Sequence, residues 1–257
     1  MTIMYDLTGK TVLVTGASRG IGAATARALA QSGATVIAHY GSQIEGAERA
    51  LADIPEGQKY FIGVDLAMPG SGRELFKQAL GCTGRVDAVI NNAAVNLDTP
   101  FQGEDDIWDD NWLTTMRINV FESSNIIREA VKHFLANDGG VLVSMSSWSG
   151  QRGSAIAELS AYAASKAAVK AVTQTVAQNY AKEGILAYVV APGIVKTRMS
   201  DAAAVARGGE DLMKAALVLG ELVAPEDIGE LVVFLVSGKC RHLTGATIDV
   251  NGATYVR

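Results

Sequence analysis

Residues Val14 to Gly22 read "VTGASRGIG": an apolar run closes at Thr15, and Gly16, Gly20 and Gly22 follow within seven positions. A strand that turns this sharply into a helix leaves bare backbone amides at the helix start, where the helix dipole favours an anion. Glycines there remove the side chains that would hold a pyrophosphate away. The spacing is GxxxGxG, neither the GxGxxG dinucleotide fingerprint nor the GxxxxGK(S/T) phosphate loop, so by itself it also fits a turn that merely packs. What surrounds it decides between the two.

The same strand-then-helix alternation runs outward from this junction. "TVLVT" leads into a helix expected from Gly20 to Ser32, "ATVIAH" into Gln43 to Asp53, "KYFIGV" into Ser71 to Leu80, and "RVDAVI" into a helix from Glu104 onward. "GGVLVSM", an Ala-rich helix from about Ser160 to Glu183, "ILAYVVA", a helix from about Pro225 to Ser237 and a final "ATIDV" bring the strands to seven. These strands are apolar almost throughout instead of alternating, as burial on both faces requires. The pattern predicts a single α/β domain over residues 1–257, a Rossmann-type doubly wound parallel sheet with helices on both faces. Gly33 is placed for a left-handed cap behind the first helix. Residues 196–223, with Gly208 and Gly209 adjacent, are the least strand-like and are expected to form a variable lid over a substrate.

Composition narrows the function classes. A chain of 257 residues, 49% hydrophobic with 5 prolines, suffices for one large core. Lys and Arg number 22 against 27 Asp and Glu, and no run gathers the basic residues on one face, which argues against nucleic acid as a partner. Cys82 and Cys240 are too few for a disulfide framework and lie in no CxxC, so they read as buried thiols in a reducing compartment. His39, His133 and His242 are too scattered for a metal site. With no signal-peptide core near the N-terminus and no apolar run of about 18 residues, a cytoplasmic protein without a membrane partner is expected.

Cofactor choice should be legible about 20 residues past the glycines, where an acidic side chain would hold the ribose hydroxyl of NAD. That place reads "AHYGS", with His39 and Tyr40 and no carboxylate to repel a 2′-phosphate, while Arg19 inside the glycine loop offers a cation. These residues favour NADP(H), with NAD(H) as the alternative. A solvated Arg19 and a satisfied polar His39 at a strand end are the plainer readings of the same side chains.

In "SAYAASKAAVKAV", Tyr162 and Lys166 stand four apart on one face of a helix. A free phenol is ionised to about one part in a thousand at pH 7, and a neighbouring ammonium is expected to lower its pKa. A YxxxK pair arises easily by chance. The hydroxyl cluster "SMSSWSG" adds weight, because it falls at the end of the preceding strand, on the edge of a parallel sheet that lines a cofactor crevice.

On these residues the chain resembles the short-chain dehydrogenase/reductase family, similar to 3-oxoacyl carrier-protein reductases and related carbonyl reductases, over essentially its whole length. The matching elements run in order: Thr15 to Gly22 as TGxxxGIG, Asp65 after the third strand, "NNAA" at Asn91 to Ala94, Asn119 in "RINV", the serine cluster, Tyr162 with Lys166, "PGIVKT" at Pro192 to Thr197, and a closing "LTGATIDVNG". The resemblance implies that Tyr162 is the general acid/base, that a serine polarises the substrate carbonyl, that Lys166 binds the nicotinamide ribose and tunes the tyrosine, and that Asn119 holds a water in the proton relay. It implies a dinucleotide held along Gly16, Ser18, Arg19, Gly20, Ile21, Gly22, His39, Tyr40, Asp65, Leu66, Asn92, Ala93, Ala94, Pro192, Gly193, Ile194 and Thr197, besides Tyr162 and Lys166. Asp65 would meet the adenine and Thr197 the carboxamide side. Two departures stand out: Ala94 replaces the final glycine of NNAG, and the loop between the serines and Tyr162 is long. Aligning on Gly150 selects Ser147 as catalytic over Ser146 and Ser149. The resemblance also implies a homotetramer, with the helix of Tyr162 and the last strand in its interfaces.

The expected function is hydride transfer between NADP(H) and a small-molecule ketone or secondary alcohol. A 3-oxoacyl thioester, a cyclic ketone and a sugar derivative all stay open as substrates. The alternatives are an NAD-dependent alcohol dehydrogenase of the same family and a dinucleotide-sensing binding protein without turnover, which has no physical need for Asn119, Ser147, Tyr162 and Lys166 together. Trp148, Arg152 and Glu158, between serine and tyrosine, are candidate substrate contacts or loop residues at a subunit surface. In "GEDDIWDDNW" the pairs Asp105 with Asp109 and Asp106 with Asp110 suit a helix N-terminus better than a divalent ion. Trp108 and Trp112 read as core or interface packing.

Overall fold

Strand β1 (Thr11–Val14) leads the sheet, followed in the chain by β2 (Thr35–Tyr40), β3 (Lys59–Gly63), β4 (Ala88–Asn91), β5 (Gly140–Met145), β6 (Ile185–Pro192) and β7 (Thr247–Val250). The computed structural model describes residues 5–198, 200 and 209–257. All seven strands are parallel and hydrogen-bonded in the order β3-β2-β1-β4-β5-β6-β7. The chain winds outward in one direction from β1 and in the other from β4, so a crevice opens between them at their carboxyl ends.

The helices expected at Gly20, Ser71, Ser160 and Pro225 form close to those ranges, the one expected over Gln43 to Asp53 is shorter, and three more were not foreseen. The helices are α1 (Gly20–Gln31), α2 (Glu45–Ala50), α3 (Ser71–Thr83), α4 (Asp105–Met116), α5 (Ser123–Leu135), α6 (Ser149–Arg152), α7 (Ser160–Tyr180), α8 (Glu210–Ala215) and α9 (Pro225–Val236). Neighbouring β1 residues divide between two cores: Val12 and Val14 pack with Leu29 and Val232 on the α1 and α9 side, and Leu13 packs with Phe76, Ile126 and Val176 on the α3, α5 and α7 side. Both faces of the sheet are therefore dry, which is why the strands carry unbroken apolar runs. The edge strand β7 is half-buried at every position. Gly33 adopts φ +93°, and the bonds Gly33 N to Ala30 O and Ala34 N to Leu29 O close α1 as a Schellman cap.

Two features depart from the sequence reading. A π-helix, Arg117–Glu122, joins α4 to α5, and no residue type announces it. The cysteines are not buried thiols, since Cys82 is only half-buried and Cys240 is exposed. Val195, just before the expected lid, pairs with Val223 at its end, and within it Met213 of α8 and Leu222 form a small apolar cluster. Residues 199 and 201–208, including Gly208, lie outside the described residues. Asp105 and Asp106 occupy the first turn of α4, where the dipole favours negative charge. No helix among the described residues is long and apolar enough to cross a membrane.

Candidate active site

The loop after β1 is drawn tight by its neighbours. Gly16 lies at φ +67°, and a Cβ on it would come within 3.0 Å of the Ala93 Cα. A Cβ at Gly22 would fall 2.1 Å from the Gly16 carbonyl oxygen, so only glycine lets the first turn of α1 fold back on this loop. Thr15 Oγ1 accepts the amides of Asn92 and Ala93, each at 2.9 Å, and Asn92 Nδ2 donates to the Thr15 carbonyl at 2.8 Å. These bonds stitch the β1 and β4 loops together across the crevice.

At the start of α1, Arg19 is the N-cap, yet no side chain caps the helix and no acidic residue stands in its first turn. Uncapped amides, glycine backbone and positive dipole fit the pyrophosphate of a dinucleotide. Arg19 itself is exposed and makes no ion pair among the described residues. Ser18 and Ile21 are half-buried beside it, Ser18 packing closely against Gly46 of α2. Thr197 reaches over from the segment after β6, its Cγ2 3.0 Å from where a Gly20 Cβ would lie.

His39 requires a correction. Its side chain is 2% exposed and turns beneath the glycine loop, accepting the Gly16 amide on Nδ1 at 3.1 Å and pairing Nε2 with the Val64 carbonyl at 2.9 Å. An Nδ1 that accepts leaves the proton on Nε2, so the ring is neutral, and burial lowers its pKa further. His39 braces the loop and does not face a ribose phosphate.

The other predicted cofactor residues ring the crevice. Tyr40 packs its ring against Gly63 at the end of β3. Asp65 is exposed and accepts the Ala67 amide at 2.9 Å, with Leu66 buried beside it. Ala94 is half-buried in the loop after β4. Pro192 closes β6, the Gly193 amide donates to Val250 at 2.9 Å, and Ile194 packs on the Met213 cluster.

Hydrogen bonding distinguishes Ser146 from Ser147. Ser146 Oγ donates to the Lys166 carbonyl at 2.8 Å and is spent on anchoring α7. Ser147 Oγ accepts the Ser149 amide at 3.1 Å and lies close enough to the Tyr162 phenol to pull its pKa down. Lys166, only 4% exposed, donates from Nζ to the Met145 carbonyl at 2.8 Å and sits 5.6 Å from the centroid of the Tyr162 ring. Burial pushes Tyr162 up to about 12 against the opposing pull of Ser147, and burial pushes Lys166 down to about 8. The expectation that the ammonium lowers the phenol is corrected accordingly: desolvation dominates both groups, and Nζ lies over the ring instead of at its oxygen.

Asn119 sits inside the π-helix. Its Oδ1 accepts the Val95 amide at 2.8 Å, and its Nδ2 donates to the Val95 carbonyl at 2.9 Å and to Ser165 Oγ at 3.0 Å. Ser165 Oγ in turn donates to the Tyr162 carbonyl at 2.7 Å, so the Asn119 side chain ties the β4 loop to α7. With both amide donors spent, Asn119 can hold a water only through an acceptor, Oδ1 or its backbone carbonyl. Thr15 and Ser165 carry this scaffold; Thr15 was read only as the opening of TGxxxGIG, and Ser165 was not singled out, since an isolated hydroxyl has no spacing to mark it.

Of the candidate substrate contacts, Trp148 donates its amide to Pro192 at 3.0 Å, and Arg152 lies over its ring. Glu158 is exposed on the far side, where its backbone carbonyl, not its carboxylate, receives the amide and hydroxyl of Thr99.

Residues 16–253 match the family model described as Enoyl-(Acyl carrier protein) reductase. The chain belongs to the short-chain dehydrogenase/reductase family. Relatives of this dehydrogenase/reductase include 3beta-hydroxysteroid dehydrogenase 1 of Eggerthella lenta, 32% identical with 97% of this chain and 95% of that protein covered. Another is a 3-oxoacyl-acyl-carrier-protein reductase of Staphylococcus epidermidis, also 32% identical, with 96% and 99% covered. Among solved structures, a 3-oxoacyl (acyl-carrier-protein) reductase of Agrobacterium tumefaciens with NADP bound superposes with TM-score 0.87 at 29% identity, covering 96% of this chain and 95% of that one. As a short-chain dehydrogenase/reductase, the protein is an NAD(P)-dependent oxidoreductase acting on CH–OH or C=O groups.

Proposed function

We propose that the protein is an NADP(H)-preferring carbonyl reductase with Tyr162 as general acid and Ser147 as its partner at the substrate oxygen. The Ser147 hydroxyl beside the buried Tyr162 phenol, at the carboxyl end of β5, carries this reading. When bound, the dinucleotide supplies the hydride. The two hydroxyls meet the negative charge that develops on the carbonyl oxygen, and Tyr162 gives up its proton there. A phenol held near 12 stays protonated at neutral pH, the form that reduction needs. Lys166 holds the ribose side of the site while fixed to Met145, and the Asn119 carbonyl holds a water that returns a proton to Tyr162.

Arg19 and the absence of a carboxylate at residues 39–43 support NADP over NAD, as does the NADP bound to the Agrobacterium relative. His39 no longer enters that choice. The same reading makes the protein a cytoplasmic homotetramer, a state favoured by Leu113, Phe121 and Leu135, large apolar side chains exposed along α4 to α5. Titration with NADPH and NADH, followed by a ketone panel read at the reduced cofactor's absorbance, tests the reading. Tighter NADPH binding with ketone turnover is expected. Preference for NADH overturns the cofactor choice, and tight binding without any turnover overturns the enzyme.

A further inference from the structure

We propose that Arg152 selects substrates that carry a carboxylate some distance from the carbonyl being reduced. The inference rests on the reductase reading above and names a substrate class for it. Arg152 ends α6, five residues past Ser147, about 7–8 Å along the chain at helical rise. Its Cζ lies 5.0 Å from the Trp148 ring centroid and 5.2 Å from that of Tyr255. Tyr255 is itself held: Asn251 Nδ2 donates to its carbonyl at 3.0 Å, and the neighbouring Thr254 Oγ1 accepts the Val218 amide at 3.2 Å.

Arg152 thus stands where the loop after β5 meets the end of β6 and the residues that follow β7, on strands that lie beyond β4 from the glycine loop in the order of the sheet. Contact with two aromatic rings fixes a long side chain without consuming its N–H donors. Arg152 is exposed and makes no hydrogen bond or ion pair among the described residues. The carboxylate in the same corner is already taken, since Asp249 accepts from Gln151 Nε2 at 2.6 Å and from Arg257 Nε at 2.9 Å. A pre-oriented guanidinium with no counter-ion presents a planar fork that matches a carboxylate in two hydrogen bonds.

The test uses 3-oxobutanoate, 4-oxopentanoate and 5-oxohexanoate beside their methyl esters, with the full-length enzyme and NADPH. At one chain length the wild type should favour the acid by about tenfold or more in kcat/KM, mainly through KM. Arg152→Gln should erase that preference and leave the esters unchanged, and Arg152→Lys should restore only part of it. Equal rates on acid and ester in the wild type, or an equal loss on both in Arg152→Gln, overturn the proposal while the reductase reading stands. Quenching of tryptophan fluorescence by 5-oxohexanoate gives a readout independent of turnover. If no compound is reduced, the reductase reading is left to the wider ketone panel above, and quenching by the acid that Arg152→Gln abolishes still supports anion recognition; absence of quenching overturns it.

Discussion

At the scale of single residues the site turns on two ionisable groups pulled in opposite directions by the same burial. Tyr162→Phe removes the acid and one of two donors at the substrate oxygen, so kcat should fall at least about 100-fold. Near-normal turnover in that variant would sink the assignment of Tyr162. Lys166, with a pKa of about 8, loses its charge at the upper edge of the physiological range. The pH profile of kcat/KM for NADPH-dependent reduction should therefore decline above about pH 8, and Lys166→Arg, which stays charged, should flatten that limb. A limb that ignores the substitution points to another group. The folded-state pKa of Lys166 lies below its ordinary 10.5, so its contribution to stability rises as pH climbs from about 8 towards 10.5. Tyr162 and Lys166 were legible as a pair because helical spacing fixes a shared face. Their pKa shifts were not, because desolvation depends on packing that spacing does not encode.

Elements meet through a few buried polar side chains, and two of these can be probed. Glu122, at the end of the π-helix and 1% exposed, accepts the Gly70 and Gly72 amides at 2.9 Å each and Asn125 Nδ2 at 3.0 Å, capping α3 from another part of the chain. Burial alone would raise its pKa, but the hydrogen bonds from Asn125, Gly72 and Gly70, together with the Arg117 charge, lower it on balance. Glu122→Ala leaves these amides unpaired and should cost about 2–3 kcal/mol in urea unfolding. Because the folded pKa is depressed, that stabilisation should be complete above the ordinary carboxylate pKa and fade as pH falls below it. A variant within 0.5 kcal/mol, taken as about the surface-substitution range, would refute the capping role. His39→Ala should release the Gly16 amide, weaken NADPH about tenfold and lower Tm; unchanged NADPH affinity would show that the loop holds its shape unaided. The His39 contribution runs with the same sign, since a ring kept neutral costs stability as pH drops below about 6.5. Sequence placed His39 at a strand end but could not show which way it points, because that follows from the β2–β3 register, with His39 opposite Ile62.

For the whole molecule, the strands and most helix limits could be read from apolar runs and glycine positions, since a sheet buried on both faces leaves little freedom in composition. The π-helix could not, because no residue type or spacing in "RINVFE" marks it. Of the proposed substrate contacts, Trp148 and Arg152 could be named from the sequence by their place between serine and tyrosine, but Tyr255 could not, because it meets them only after β5 and β7 are brought into one sheet. Strand order has one more consequence. The glycine turn proposed to cradle phosphate follows β1, while the serine, the tyrosine and the proposed substrate contacts follow β5, so the grip on phosphate and the choice of compound sit in different portions of the chain, with Lys166 and Thr197 carrying part of the proposed dinucleotide site into the late one. Mutation can redraw the late portion for a new compound while the early one keeps its currency of reducing power, and a lineage built on this plan can diversify its diet without renegotiating its fuel.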